Sequence, residues 1–343
     1  MTSDDTLDLY PAGSPSVSLR LTAARALGCD IECLDPETRY IYRVSKGQRA
    51  FMVFGCISPL NNQTSARISQ DKFHTHTIAA RAGFRVPETV RCLRPGQFEA
   101  GRFEAHLGLE PALKMAAERG YPLLAKPNRG SRGRHVNVVR DEAALVSAVE
   151  TIWGQDSVAL VQQCVPGMDL RLDVLDGTLL VGYVRRPVVL VGDGVQSIRA
   201  LLAGMDQRYQ GAPFWKALVD DPIWKRVTSG RWGPDSVLAL GQRVDFGSVV
   251  LNLNRLCTAQ IFTQVPERWL EACRRLAKAM DLRHVGIDFK VARSADPLGG
   301  NPQDAVLLEV NASPGLASIT RMGHGHITMP AEKRLVEAML NKG

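Results

Sequence analysis

The sequence predicts a mixed α/β (α+β) fold, and three observations carry that expectation. Segments with apolar residues at helical spacing alternate with short apolar runs bounded by glycine or proline. An Asp176-Gly177 pair separates two such runs and marks a hairpin. No internal repeat or low-complexity segment interrupts the alternation, and 343 residues are enough for two or three lobes.

Composition narrows the class. Hydrophobic residues make up 45% and charged residues 22%, the balance of a soluble globular chain. No apolar run approaches the ~18 residues of a membrane span, and the acidic, polar first residues lack the order of a signal peptide. Seven cysteines, odd in number and without a Cys-x-x-Cys pair, point to reduced thiols in a cytoplasmic protein rather than a disulfide framework or zinc site. The net charge of +7 would suit a nucleic-acid binder, but the basic residues are dispersed and not interleaved with aromatics on one face. An acidic small ligand such as a nucleotide accounts for them at least as well, so neither nucleic acid nor membrane is expected as a partner. Whether the chain self-associates as a homo-oligomer stays open.

Taken in order, residues 17–28 read as a helix stopped by Gly28, followed by strands at 31–34, 40–44 and 50–54. Residues 65–82 read as one helix ending at Gly83, and residues 94–107 as a loop or short helix. A helix at 109–119 precedes a strand at 121–127, a glycine-rich loop, a strand at 135–139 and a helix at 142–151. Strand 158–163 ends at Pro166-Gly167, and strands 170–175 and 179–185 flank the hairpin turn. Residues 205–247, with Trp215, Trp224 and Trp232, read as irregular and able to flank a site. Helix 268–280, strands 284–291 and 305–310, and a helix at 331–340 complete the chain. The expected divisions are a flexible tail at 1–15, an N-terminal α/β lobe at 16–64, a region at 65–165 carrying the glycine loop, and a C-terminal lobe at 166–343.

Several residues could carry chemistry. Directly after Lys126-Pro127, residues 128–134 read Asn-Arg-Gly-Ser-Arg-Gly-Arg between two strands. Gly130, Ser131 and Gly133 allow backbone N–H groups to converge on an anion, and Arg129, Arg132 and Arg134 add charge. A plain basic hairpin is the alternative. The P-loop and Rossmann patterns are excluded, because no Gly-Lys-Ser/Thr follows and the loop leads into a strand. Lys126 ends an apolar strand and must reach something polar, either phosphates under the loop or bulk water. Lys72, on a helix, is by default a solvated charge.

Asp288 sits in a mostly apolar strand, and Glu309 and Asn311, two apart, share one face of another. Singly each is a polar strand-edge residue; together they offer hard oxygens suited to Mg²⁺. Arg171, Arg185 and Arg186 group around the hairpin, either as a solvated face or as a clamp on a transferring phosphate. Residues 311–315, Asn-Ala-Ser-Pro-Gly, turn the chain sharply and could place a substrate at Ser313 and Gly315. The histidines form no metal array and no nucleophile elbow appears; His324 and His326 merely follow the metal motif.

The order of these pieces is more specific than any one of them. Asp71-Lys72 on a helix, strand Lys126-Pro127, a glycine-rich loop, an apolar strand ending in Pro166-Gly167, then Gly286-x-Asp288 and Glu309-x-Asn311-x-x-Pro314-Gly315 resemble the ATP-grasp superfamily. Within it the chain looks like the ligase domains of cyanophycin synthetase and bifunctional glutathione synthetase, most clearly over 120–136, 160–171, 185–198 and 286–315. The resemblance runs from about 65 to 315 and is weakest over 190–250.

The resemblance implies two α+β lobes gripping ATP behind a small N-terminal lobe. It implies that Lys72 and Lys126 contact ATP phosphates and that Gly130, Ser131, Arg132 and Gly133 close over them. Gln162, Gln163, Cys164 and Val165 would pack against adenine, with Gln163 and Val165 offering backbone groups, and Asp169 would hold the ribose. Asp288, Glu309 and Asn311 would hold two Mg²⁺ ions, with Mn²⁺ as the alternative metal, while Arg186 and Arg171 would steady the γ-phosphate and an acyl phosphate. A carboxylate would attack the γ-phosphate, and an amine from an amino acid or small peptide would then displace phosphate to give an amide.

Two departures qualify it. Where related ligases carry Gly-Gly after Asn-Leu, this chain reads Asn252-Leu253-Asn254-Arg255-Leu256-Cys257, placing Asn252 and Arg255 at the expected substrate pocket. The large extra domains of the two named synthetases are also missing, so a stand-alone ligase is expected. An ATP-grasp small-molecule kinase and an inactive nucleotide-binding regulator are the alternatives.

Overall fold

The computed structural model describes residues 14–130, 133–205, 222–228, 231–246 and 257–342. Helix α1 (Pro15–Ala26) leads into a meander of β1 (Asp30–Cys33), β2 (Ile41–Lys46) and β3 (Arg49–Phe54). Helices α2 (Gln63–Gln70) and α3 (Lys72–Arg81) follow, then β4 (Thr89–Leu93) and a short helical turn over Ala100–Phe103. Helix α4 (Glu110–Arg119), β5 (Leu123–Pro127), β6 (Asn137–Val139), α5 (Glu142–Trp153) and β7 (Val158–Gln163) form the next unit. Strands β8 (Met168–Leu175) and β9 (Thr178–Pro187) make the hairpin, and β10 (Val189–Val191), α6 (Ile198–Met205), α7 (Pro222–Thr228) and β11 (Arg243–Asp245) form a small appendage. Strand β12 (Cys257–Phe262), α8 (Glu267–Ala279), β13 (His284–Val291), β14 (Val306–Asn311) and α9 (Gly325–Leu340) close the described chain.

Two antiparallel sheets position the site: a four-stranded sheet in the order β4-β7-β5-β6 and a five-stranded sheet in the order β12-β9-β8-β13-β14. Alternation along each strand decides which side chains meet. On the small sheet, Cys92, Leu123, Ala125, Ala159 and Val161 pack against α4 and α5, leaving Lys126, Leu160 and Gln162 on the opposite face. On the large sheet, Leu170, Leu172, Val184, Ile287 and Phe289 bury against Trp269, Cys273 and Leu276 of α8. The other face of the same strands carries Asp169, Arg171, Asp173, Arg185, Gly286, Asp288 and Lys290. Strand β8 thus separates core from charge residue by residue.

The N-terminal meander does not stand apart. Val17, Leu21 and Ala24 of α1, Val44 and Val53 of the meander, Leu175 and Val181 of the hairpin, and Leu335, Val336 and Met339 of α9 form one core. A buried ion pair crosses it, Arg20 Nε to Glu332 Oε1 at 2.8 Å, and Arg20 Nη1 also donates to the Ile57 carbonyl at 3.1 Å.

The hairpin turn follows its sequence signal. Asp176 and Gly177 have φ of 48° and 73°, the two left-handed residues of a type I′ turn. Other expectations are corrected. Residues 65–82 are two helices, because Asp71 leaves the helical region and caps α3, its carboxylate accepting from the His74 N–H at 3.0 Å. The strand expected at 135–139 is confined to β6, with His135 at φ 52° before it. The last helix begins at Gly325, six residues early, and continues through Pro330. Part of 205–247 lies outside the described residues, Trp215 included; the rest contains α7 and β11, not irregular chain alone. Trp224 there stacks on Phe246 at 5.4 Å inside the appendage's own core.

Candidate active site

The site forms where the polar faces of the two sheets meet. Lys126 is buried at the end of β5, and Lys72 is buried at the first turn of α3. Asn128 ties the two segments together: its carbonyl accepts from the Lys72 N–H at 3.2 Å, and its Oδ1 from the Phe73 N–H at 3.0 Å. The Lys72 ammonium donates to the Gly130 carbonyl at 2.8 Å, so the glycine loop starts in contact with it. Burial and the neighbouring Lys72 charge pull the Lys126 ammonium down to about 8, against the opposing pull of Glu309 and Asp288. Cations from the small sheet and from α3 therefore share one electrostatic environment with carboxylates of the large sheet.

His76, one turn after Lys72, joins them. The β13/β14 register slips between Asp288 and Phe289, leaving Leu308 as an extra residue. The Leu308 carbonyl accepts from His76 Nε2 at 2.9 Å. Burial, with the Lys126 and Lys72 charges, holds the imidazole at about 4, hence neutral, and its Nδ1 is buried without a partner.

On the large sheet Asp288 is clamped: Arg171 Nη1 and Arg185 Nη2 donate to its two oxygens. Burial would raise this carboxyl, but the two guanidinium groups outweigh it and hold it below the ordinary value. Arg171 Nε also donates to Asp173 at 2.6 Å. Arg171 spans β13 only because residue 286 is glycine; a Cβ there would lie 2.3 Å from Arg171 Nη2.

Glu309 has no ion-pair partner among the described residues, and Asn311 Nδ2 donates to Asp288 at 3.3 Å. That orientation turns the Asn311 oxygen away from Asp288. A free carboxylate beside an amide oxygen, with a second carboxylate oriented next to them, suits a hard cation such as Mg²⁺. No group of three or more His, Cys, Asp or Glu side chains forms a metal cage among the described residues, so such a cation would depend on Glu309, Asn311 and its ligands.

The remaining predicted residues fall as follows. Gln162 is buried and its Nε2 donates to Thr89 Oγ1 at 2.7 Å; the Gln163 N–H donates to the Glu88 carbonyl at 3.1 Å. Cys164 and Val165 are half-buried at the crossing from one sheet to the other. Gly167 makes that crossing possible, since at φ 134° a Cβ would lie 2.3 Å from the Val291 carbonyl oxygen. Asp169 is paired with Lys290 at 2.9 Å. Gly133 has φ 70°, while Ser131 and Arg132 lie outside the described residues, as do Asn252 and Arg255.

Ser313 Oγ accepts from the Ser58 N–H at 3.0 Å, and Gly315 lies against Ser16, so this turn also docks the N-terminal lobe. Arg186 is not brought to the cluster. It is exposed on the other face of β9 and donates to Gln260 Oε1 at 2.6 Å; Arg185 takes the position on Asp288 instead. Arg185 was read from the residues only as one of a basic group around the hairpin, and Lys290, His76 and the linking role of Asn128 were not singled out. His76 was marked only by its i+4 spacing from Lys72.

No protein-family model matches the chain. It is 21% identical over 321 residues to the glutathione biosynthesis bifunctional protein of Streptococcus thermophilus (strain CNRZ 1066), covering 90% of this chain and 40% of the relative. It is 26% identical over 322 residues to the cyanophycin synthetase of Crocosphaera subtropica, covering 91% and 35%. The chain thus spans two fifths or less of these relatives' lengths. The crystal structure of a bifunctional glutathione synthetase from Pasteurella multocida superposes with a TM-score of 0.56 at 21% identity, covering 88% of this chain and 40% of that one. Two antiparallel sheets whose polar faces meet at Lys126 and Glu309 thus carry an ATP-grasp-type fold, and over about nine tenths of its length the chain is similar to these proteins.

Proposed function

We propose that the chain is an ATP-dependent carboxylate–amine ligase that forms an amide bond through an acyl phosphate. The observation that carries this is the meeting of Lys126 from one sheet and Lys72 from helix α3 with Asp288 and Glu309 from the other sheet. Phosphoryl transfer needs little covalent chemistry from a protein beyond positioning and charge compensation, which is what this cluster offers. The likeness to amide-forming synthetases supports the ligase over a kinase.

In this reading Lys72 and Lys126 hold the phosphates, with Gly130 to Gly133 covering them, and the segment 162–165 takes the adenine. Glu309 and Asn311, beside the oriented Asp288, would hold Mg²⁺, which would supply positive charge against that of the phosphates. Arg171 and Arg185 face the same space and offset charge as the γ-phosphate passes to the substrate carboxylate. The incoming amine then expels phosphate, leaving the amide and ADP. Amino acids or small peptides are the proposed substrates, and the free thiols fit a reducing, cytoplasmic setting.

The test is a screen of amino acids, singly and in pairs, for ADP and phosphate release. Release that requires an amine acceptor is expected; release with an acid or alcohol alone would instead identify a kinase. In the productive mixture Glu309→Ala is expected to lower turnover at least ~10³-fold while leaving the thermal midpoint unchanged. Retained turnover would remove the metal assignment.

A further inference from the structure

A second pocket, of about 420 Å³, lies at the β4 edge of the small sheet, beside α3. Arg91 lines it from the same sheet face as Lys126 but two strands away, across Leu160. Phe73 also lines it, following Lys72 by one residue and so pointing about 100° around the helix from it. Lys72 faces the nucleotide side; Phe73 faces this pocket.

The charges in the pocket are unequally satisfied. Asp71 accepts from the His74 N–H and lies 3.0 Å from His74 Nδ1 and 3.7 Å from an Arg129 nitrogen. Asp156 accepts from the N–H groups of Arg129 at 2.7 Å and Val158 at 3.0 Å. Arg91 has no ion-pair partner among the described residues, and its Nε is buried with no hydrogen bond. Asp71 acts on Arg91 only through space, with no carboxylate of the described residues within ion-pair distance, so the hydrogen bonds of this half-buried guanidinium are unmet from within the pocket.

Geometry narrows the ligand. The Arg91 guanidinium stacks 4.1 Å over the Phe73 ring, which occupies its face and leaves its in-plane N–H edge for a planar, two-oxygen anion. Phe98 and Phe103, edge to face at 6.0 Å, supply an aromatic wall across the same pocket. We propose that this pocket is an accessory binding site for a small carboxylate bearing an aromatic ring. The assignment stands independently of the nucleotide site, since Arg91, Phe98 and Phe103 are not used there and Phe73 contributes only its backbone N–H to that site.

The probe is phenylacetate, titrated into the full chain and followed by calorimetry and saturation-transfer NMR, with and without ADP. Acetate tests the anion alone, and phenethylamine the ring with the opposite charge. Phenylacetate is expected to bind at least tenfold more tightly than either, and ADP to leave its affinity within twofold. Arg91→Met is expected to weaken phenylacetate binding at least tenfold while ADP affinity changes less than twofold. Should that variant fail to fold, Phe98→Ala gives the same reading from the opposite wall, with an expected loss of threefold or more. Equal binding by the wild type and both variants would overturn the proposal. So would displacement of phenylacetate by ADP, or phenylacetate binding no tighter than phenethylamine; in each case Arg91 serves only to brace Phe73.

Discussion

Gly286 lies directly beneath the Arg171 guanidinium, and a Cβ at 286 would fall 2.3 Å from Arg171 Nη2 and 2.4 Å from Asp173 Oδ1. The Gly-x-Asp motif is therefore two halves of one device, in which the glycine clears the path and the aspartate receives the guanidinium. Gly286→Ala is expected to cost roughly 1–3 kcal/mol through overpacking. Because the displaced groups are charged, turnover should fall further than stability does. Urea denaturation alongside ADP release checks this, and a variant with wild-type turnover would sink it.

Lys126 predicts a pH signature. Its ammonium is held near 8, below the ordinary lysine value, by burial first and Lys72 second. A lysine depressed in the folded state opposes folding while protonated: that cost is full below pH 8 and disappears as pH rises from about 8 toward the unfolded value. The proposed nucleotide binding has the opposite requirement, since a phosphate held there would need the ammonium. ADP affinity should therefore weaken above pH 8 even as the unliganded protein gains stability. Titrations between pH 7 and 9.5 should show this step in the wild type, and Lys126→Met should be weaker throughout and lack it.

The Arg20–Glu332 pair is nearly inaccessible at both ends, at 2% and 3% exposure. Removing one partner strands a buried charge, so Arg20→Met or Glu332→Gln is expected to cost about 3–5 kcal/mol. The Arg20→Met, Glu332→Met double variant should lose much less. Additive losses in denaturant midpoints would show that each residue acts separately and would refute a coupled pair.

The arrangement was legible where a local rule decides it. Strands β7 and β13 follow from apolar runs with clear stops, and the hairpin from Asp176-Gly177. Asp288, Glu309 and Lys126 were legible because a charged residue in an apolar strand requires a partner. Arg186 was not, and the reason is a bulge. From the turn, Leu175 pairs with Thr178 and Val174 with Leu179; an uninterrupted ladder would set Gly182 opposite Arg171 and turn Arg186 toward the site. Leu180 is instead an extra residue, Arg171 meets Tyr183, and Arg185 faces Asp288. A one-residue slip has no composition signal. The break at Asp71 was hidden similarly: apolar spacing continues across it, and only the capping carboxylate marks the new helix.

The shared core of α1 and α9 has a consequence for biosynthesis. Arg20 leaves the ribosome more than 300 residues before Glu332, so α1 is made long before its packing partner α9. Until Gly325–Leu340 has been translated, Val17, Leu21 and the guanidinium of Arg20 lack the surface that covers them. A stop codon placed after the Glu309–Asn311 strand, with all the residues proposed to hold phosphate and metal already encoded, would thus still release a chain whose opening lobe lacks the α9 side of its core.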